Sequence, residues 1–187
     1  TIQINISLYK KVLYGSFYSQ CFFLYNGGKS MQKQDFKKLF EHGPVILDGA
    51  TGSNLMKAGM PKGVCTEKWV LEHPETIIQL QKSYVEAGSQ IIYAPTFAAN
   101  RISLANHGLS DQVEYYNHAL VALSKEAVHG KALIAGDITT TSKMDAEYDE
   151  LLSAYEEQIT ALVDAGADLL IAETMIGTDE TMAVIDA

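Results

Sequence analysis

Two stretches of the chain repeat one pattern, and this repeat constrains the fold more than any other feature. The stretches are VEAGSQIIYAPT at 85–96 and VDAGADLLIAET at 163–174. Weaker copies occur as EHGPVILDG at 41–49 and VHGKALIAGD at 128–137. The glycine is expected to end a helix in a left-handed conformation. The apolar run that follows predicts a short strand buried on both faces.

Helical patterns separate the four predicted strands, which lie near 45–48, 91–95, 132–136 and 168–172. His73-Pro74 places a proline in the first turn of one predicted helix, and apolar residues at helical spacing continue it. Further helices are predicted at 111–128 and 147–165, and another begins after the fourth strand. Strands that alternate with helices imply a parallel sheet with right-handed crossovers.

Repeating units of this kind suit a (β/α)8 barrel or a doubly wound sheet. The sequence contains four units where a barrel needs eight, and it stops inside an amphipathic helix. We therefore predict an α/β chain, a (β/α)8 TIM barrel of which residues 31–187 form the N-terminal half, about four βα units. A four-stranded doubly wound sheet is the alternative. The GATGS turn lacks both the G-x-G-x-x-G fingerprint and the P-loop lysine, so nucleotide binding is weakly supported.

Residues 1–30 differ in composition from the rest of the chain. They contain no Asp or Glu and nearly half of the aromatic residues, and Met31 follows them directly. We interpret residues 1–30 as an atypical leader or an artefact. A signal peptide is a weaker alternative, because polar residues interrupt the apolar run.

Charge and cysteine content limit the partners and the compartment. The net charge of −9 argues against nucleic-acid and anionic-membrane partners, since both require a basic face. No apolar run is long enough to span a bilayer. The two cysteines, Cys21 and Cys65, form no CxxC motif, which fits a reducing compartment. We expect a cytoplasmic protein.

The predicted strands end in hydrogen-bonding side chains. In parallel α/β folds the chemistry gathers at the carboxyl ends of the strands. Asp and Thr are also common at loop starts, so each position alone is weak. Glutamate is not a favoured cap, and a buried carboxylate needs a partner, for which a ligand ammonium would serve. The four residues at the strand ends are Asp48, Thr96, Asp137 and Glu173.

Several motifs together resemble the homocysteine S-methyltransferase family. They are ILDGATGSNLMKAG at 46–59, EKWVLEHPETIIQLQKSYVEAGSQIIYAPTFAANRISL at 67–104, LIAGDI at 133–138 and ADLLIAETM at 167–175. The likeness runs from about Pro44 to Ala187. Within the family it is greatest to the N-terminal homocysteine-binding barrel of cobalamin-dependent methionine synthases.

The resemblance implies a barrel that transfers a methyl group to the thiol of homocysteine, yielding methionine. It implies that Asp48 and Glu173 lie against the amino end of this amino acid. The other positions that it places near the substrate are Gly49, Thr96, Phe97, Asn100, Arg101 and Asp137.

The resemblance also implies zinc, which deprotonates the thiol. The family's cysteine ligands correspond to positions beyond Ala187, so no metal ligand and no catalytic residue is predicted here. As it stands, the chain is expected to hold part of a substrate site and to be inactive alone. The methyl donor stays open, and cobalamin carried by another module is one possibility.

Two other functions remain open on the residues themselves. A different barrel enzyme could use a rim rich in carboxylates, with a divalent metal ion. Alternatively, the chain could be a non-catalytic half-barrel whose exposed sheet edges favour association.

Overall fold

The computed structural model describes residues 21–23, 37–41, 43–141, 143 and 145–187. Four strands are present among these residues: β1 (Cys21–Phe23), β2 (Ile91–Tyr93), β3 (Leu133–Ile138) and β4 (Leu169–Ala172). The helices are α1 (Gly52–Lys57), α2 (Thr66–Glu72), α3 (Pro74–Glu86), α4 (Arg101–Ala105), α5 (Val113–Val128), α6 (Tyr148–Asp164) and α7 (Thr178–Asp186).

Strands β2, β3 and β4 form a parallel sheet in chain order. Ile91 lies opposite Leu133, and Ala135 lies opposite Leu169. A doubly wound sheet reverses its strand order at a switch point, and this sheet has no reversal among its parallel strands. The predicted α/β class with parallel strands is therefore confirmed, and the eight-stranded closure stays a prediction.

The strand predicted near 45–48 is reduced to a single parallel bridge between Leu47 and Ile91. The N–H of Asp48 donates to the carbonyl of Ile91 at 3.1 Å. One residue pair earlier, the N–H of Ile46 donates to the Gln90 side chain, with 3.1 Å to Oε1. A side chain thus replaces the backbone acceptor that would have extended the ladder.

Strand β1 lies within the segment that was predicted to be a leader. It pairs antiparallel with β4, so that Cys21 lies opposite Ala172 and Phe23 opposite Leu170. The rest of residues 1–30 lies outside the described residues. The three-residue strand covers the edge of β4 that β3 leaves open.

The long helices pack side by side on one face of the parallel sheet. Helix α3 contacts α5, α5 contacts α6, and α6 contacts α7. Ile92, Ile134 and Leu170 face these helices and are buried in the main core. Because side chains alternate along a strand, Ile91, Ala135, Leu169 and Ile171 face the other way, where they form a second buried cluster.

The predicted helix-ending glycines are found after α3 and α6. Gly88 has a φ of 105° and Gly166 a φ of 79°, which only glycine adopts without strain. After α5 the left-handed residue is His129, at φ 47°, followed by Gly130. Within the described residues, no helix combines the length and apolar character that a membrane crossing requires.

Candidate functional site

A cavity of about 800 Å³ opens at the carboxyl ends of the parallel strands. This volume falls in the range of small-molecule sites. Its walls come from the turn after residue 47, the start of α2, the ends of β2 and β3, and the residue after β4. The lining includes Asp48, Gly49, Thr51, Cys65, Glu67, Tyr93, Phe97, His107, Asp137 and Glu173.

Strand alternation explains why three polar side chains meet there. Tyr93 follows Ile91 by two residues, Asp137 follows Ala135, and Glu173 follows Ile171. Each therefore continues the face of the sheet that points away from the helices. Asp137 lies inside β3 rather than after it, because β3 extends to Ile138 and not to 136 as predicted.

Asp48 is half-buried and binds the neighbouring strand end. Its Oδ2 accepts a hydrogen bond from the N–H of Tyr93 at 3.0 Å. Burial raises the pKa of Asp48 from 3.8 to about 7, and the charge of Glu173 adds to the rise against backbone hydrogen bonds that lower it. Near neutral pH, Asp48 can therefore hold or release a proton.

Asp137 is almost completely enclosed, with 6% of its surface exposed. Burial first, and then the charges of Glu173 and Asp48, raise the pKa of Asp137 well above its ordinary value. Its Oδ1 has no hydrogen-bond partner among the described residues. A cationic ligand would lower the energy of all three carboxylates at once.

The backbone fixes Glu173 from both sides. Its N–H donates to Ile138 at 2.9 Å, and its carbonyl accepts from the Thr139 hydroxyl at 3.0 Å. The next residue, Thr174, has a φ of 55°. A β-branched residue rarely adopts this conformation, and such strain concentrates at functional sites.

The turn that carries Asp48 and Gly49 is held by Tyr84 of α3. The Tyr84 hydroxyl donates to the Ala50 carbonyl at 2.9 Å and accepts from Asn54 Nδ2 at 3.1 Å. A Cβ on Gly49 would lie 2.9 Å from Cε1 of Tyr84. Glycine at this position therefore lets the ring approach and clamp the turn.

Thr96 and Asn100 are fully buried and do not belong to the lining of the cavity. The Thr96 hydroxyl donates to the carbonyl of Asp137 and accepts from its N–H, both at 3.0 Å. Asn100 caps α4, where its Oδ1 accepts from the N–H of Ser103 at 2.8 Å. Thr96 therefore holds the end of β3 in place, and Asn100 holds the start of α4.

Phe97 lies at the cavity and is 37% exposed. Arg101 points elsewhere, since its Nε lies 2.6 Å from Oε2 of Glu157 in a surface ion pair. Of the predicted residues, Asp48, Gly49, Phe97, Asp137 and Glu173 are thus brought together, and Arg101 is not.

The sequence reasoning missed Tyr93 and Glu67. Tyr93 was part of an apolar run, and only its hydroxyl distinguishes it there. Glu67 is 4% exposed on α2, where it accepts from the N–H of Ala98 at 3.0 Å and from the Cys65 thiol at 3.4 Å. A charged residue in an amphipathic helix gave no signal for this role.

No group of three or more His, Cys, Asp and Glu side chains in the described part of the chain is arranged to hold a metal ion. Cys65 is buried, and burial together with Glu67 raises the pKa of its thiol to about 11. The Cys65 thiol therefore keeps its proton near neutral pH in the protein without metal. The cluster of three or four donors that a zinc ion requires is not assembled among the described residues.

Fold and cavity together define an α/β protein with a cavity of small-molecule size at acidic strand ends. A family profile described as homocysteine S-methyltransferase matches residues 45–187. The chain belongs to the homocysteine S-methyltransferase family, as the motifs predicted.

Relatives and solved structures agree with this family. Betaine–homocysteine S-methyltransferase 1 of Bos taurus is 29% identical over 169 residues, which cover 86% of this chain and 42% of the relative. The same enzyme of Danio rerio is 33% identical, over 69% of this chain and 34% of the relative. The chain therefore spans less than half the length of these relatives.

The fold is also similar to a crystal structure. The metallated form of the homocysteine methyltransferase MmuM from Escherichia coli superposes with a TM-score of 0.71 and 24% identity. The match covers 81% of this chain and 61% of that one. The predicted likeness to the cobalamin-dependent branch stays a prediction.

Proposed function

We propose that this chain binds homocysteine through its amino group, for methyl transfer to the thiol in the whole protein. The observation that supports this most directly is the set of Asp48, Asp137 and Glu173 in one cavity. Their mutual repulsion and burial make the empty site electrostatically unfavourable. An ammonium ion offsets this repulsion, whereas a ligand carboxylate would increase it.

In this proposal, different residues contact different parts of the amino acid. Asp48 and Glu173 accept hydrogen bonds from the ammonium group. The turn at Gly49 and the aromatic ring of Phe97 bound the rest of the amino acid. Thr96 supports the backbone of Asp137, and Asn100 caps α4. A direct contact of either residue with the ligand stays a prediction.

The described residues do not fit the zinc ion that the family resemblance implies, so we assign them no part in activating the thiol. Their contribution is to hold and orient the amino acid. We propose that other parts of the whole protein supply the metal ligands, the site for the methyl donor and any cobalamin-binding module.

The proposal predicts that Asp48→Ala and Glu173→Ala each weaken homocysteine binding at least tenfold, since hydrogen bonds to a charged group contribute about 1.5–3 kcal/mol. Isothermal titration calorimetry under reducing conditions measures the affinity, and urea denaturation measures the free energy of unfolding. Glu157→Ala, which removes an acid from the surface ion pair with Arg101, is the matched control. If Asp48→Ala and Glu173→Ala lower the free energy of unfolding by as much as they lower the free energy of homocysteine binding, the proposal is wrong.

A further inference from the structure

The backbone of Tyr93 is held beside the cluster of carboxylates. Its N–H donates to Asp48 Oδ2 at 3.0 Å, and its carbonyl accepts from Gln81 Nε2 at 3.0 Å. Its side chain lines the cavity beside Asp137 and Glu173. The backbone of Tyr93 is therefore held by one contact with Asp48 and one with helix α3, before any ligand arrives.

The hydroxyl of Tyr93 is buried and has no hydrogen-bond partner among the described residues. Tyr84 and Tyr155 differ, because their hydroxyls donate to the carbonyls of Ala50 and Thr139. Leaving a buried hydroxyl unpaired costs stability, and such groups in folded proteins normally have a partner. Because the Tyr93 side chain lines the cavity, its unpaired hydroxyl indicates a ligand contact.

The surrounding charges decide which ligand group this is. Burial and the charges of Glu173, Asp137 and Asp48 all raise the pKa of Tyr93, so the phenol keeps its proton. A ligand carboxylate at this point would be repelled by the three acids. A ligand ammonium would be attracted, and the phenol oxygen can accept one of its N–H groups.

We infer that the Tyr93 hydroxyl is a third contact of the ligand's ammonium group and makes the site selective for a primary amine. A primary ammonium has three N–H donors. The carboxylates of Asp48 and Glu173 accept two of them, and the phenol oxygen of Tyr93 accepts the third. The inference rests on the proposed function, since it specifies how the same site recognises homocysteine.

The test compares two ligands that differ only at the amino group. Homocysteine carries it, and 4-mercaptobutanoate lacks it. Calorimetry with the wild type should give a clear preference for homocysteine. In Tyr93→Phe the ratio of the affinity for homocysteine to that for 4-mercaptobutanoate should fall about tenfold, because one hydrogen bond to a charged group is lost. Tyr155→Phe removes a buried hydroxyl away from the cavity and should keep the full preference.

A measurement on the wild type alone gives a second test that needs no folded variant. N-methylhomocysteine has one N–H fewer and should bind about tenfold more weakly than homocysteine. Equal affinity of these two ligands, or an unchanged preference in Tyr93→Phe, overturns the role of Tyr93. If the wild type does not distinguish homocysteine from 4-mercaptobutanoate at all, the proposed function itself is wrong.

Discussion

Asp48→Asn should stabilise the protein without ligand at alkaline pH. It should also remove the part of the pH dependence of stability that comes from ionisation of Asp48. The ordinary pKa of the side chain is 3.8, and in the folded protein it is raised to about 7. As the pH rises, the unfolded chain ionises first, so the folded state loses stability until the pH passes about 7. Asparagine does not ionise, yet its oxygen can still accept the hydrogen bond from Tyr93.

The size of the effect follows from the shift. Each pH unit between the two pKa values changes the free energy of unfolding by about 1.4 kcal/mol. From about pH 5 to about pH 8, Asp48 therefore removes up to about 3 kcal/mol, and roughly 2 kcal/mol after solvent screening of a half-buried group is allowed for. Between these two pH values, the free energy of unfolding of Asp48→Asn should therefore fall by roughly 2 kcal/mol less than that of the wild type.

Urea denaturation of both proteins at the two pH values measures this difference. Asp111→Asn, which changes an exposed acid in a turn, is the control and should follow the wild type. The electrostatic reasoning would be refuted by an Asp48→Asn variant whose stability changes with pH in parallel with that of the wild type.

Two further substitutions test the support around the site. Thr96→Val leaves the N–H and the carbonyl of Asp137 without their hydroxyl partner, and should cost roughly 1–3 kcal/mol in urea denaturation, whereas Thr96→Ser should keep most of the stability. Gly49→Ala places a Cβ 2.9 Å from the Tyr84 ring and should lower stability by about 1–3 kcal/mol and weaken homocysteine binding. Gly52→Ala, where a Cβ meets nothing within 4 Å, should keep the stability of the wild type; equal losses of stability in both glycine variants would contradict this account.

The sequence predicted the elements whose signals are local. Proline at the start of α3 and glycine after α3 and α6 mark helix ends through backbone preferences that act within a few residues. The apolar runs marked β2, β3 and β4 for the same reason, although four of their six ends were misplaced by one or two residues. The strand predicted near 45–48 is longer than the single bridge observed at Leu47, because the Gln90 side chain replaces a backbone acceptor. No local pattern indicates that replacement.

The candidate site was predictable where strand position alone decides it. Asp48, Asp137 and Glu173 follow or end apolar runs, and parallel strands bring such positions together. Thr96 bonds the backbone of Asp137, which is 41 residues away along the chain. Asn100 bonds the backbone of Ser103, three residues away. The sequence did not indicate that these two side chains bind the backbone. Tyr93 could not be found, because a tyrosine in a strand is usually a packing residue.

The pairing of β1 with β4 has a consequence for the order of folding. Between Phe22 and Ile171 the chain closes a loop of 171 − 22 = 149 residues, whereas Ala135 and Leu169 are 169 − 135 = 34 residues apart. A loop about four times longer costs roughly 1.2 kcal/mol more chain entropy to close. A strand of three residues offers few hydrogen bonds against this cost. We therefore expect the parallel units to assemble first, and β1 to dock last and to detach first when the protein unfolds.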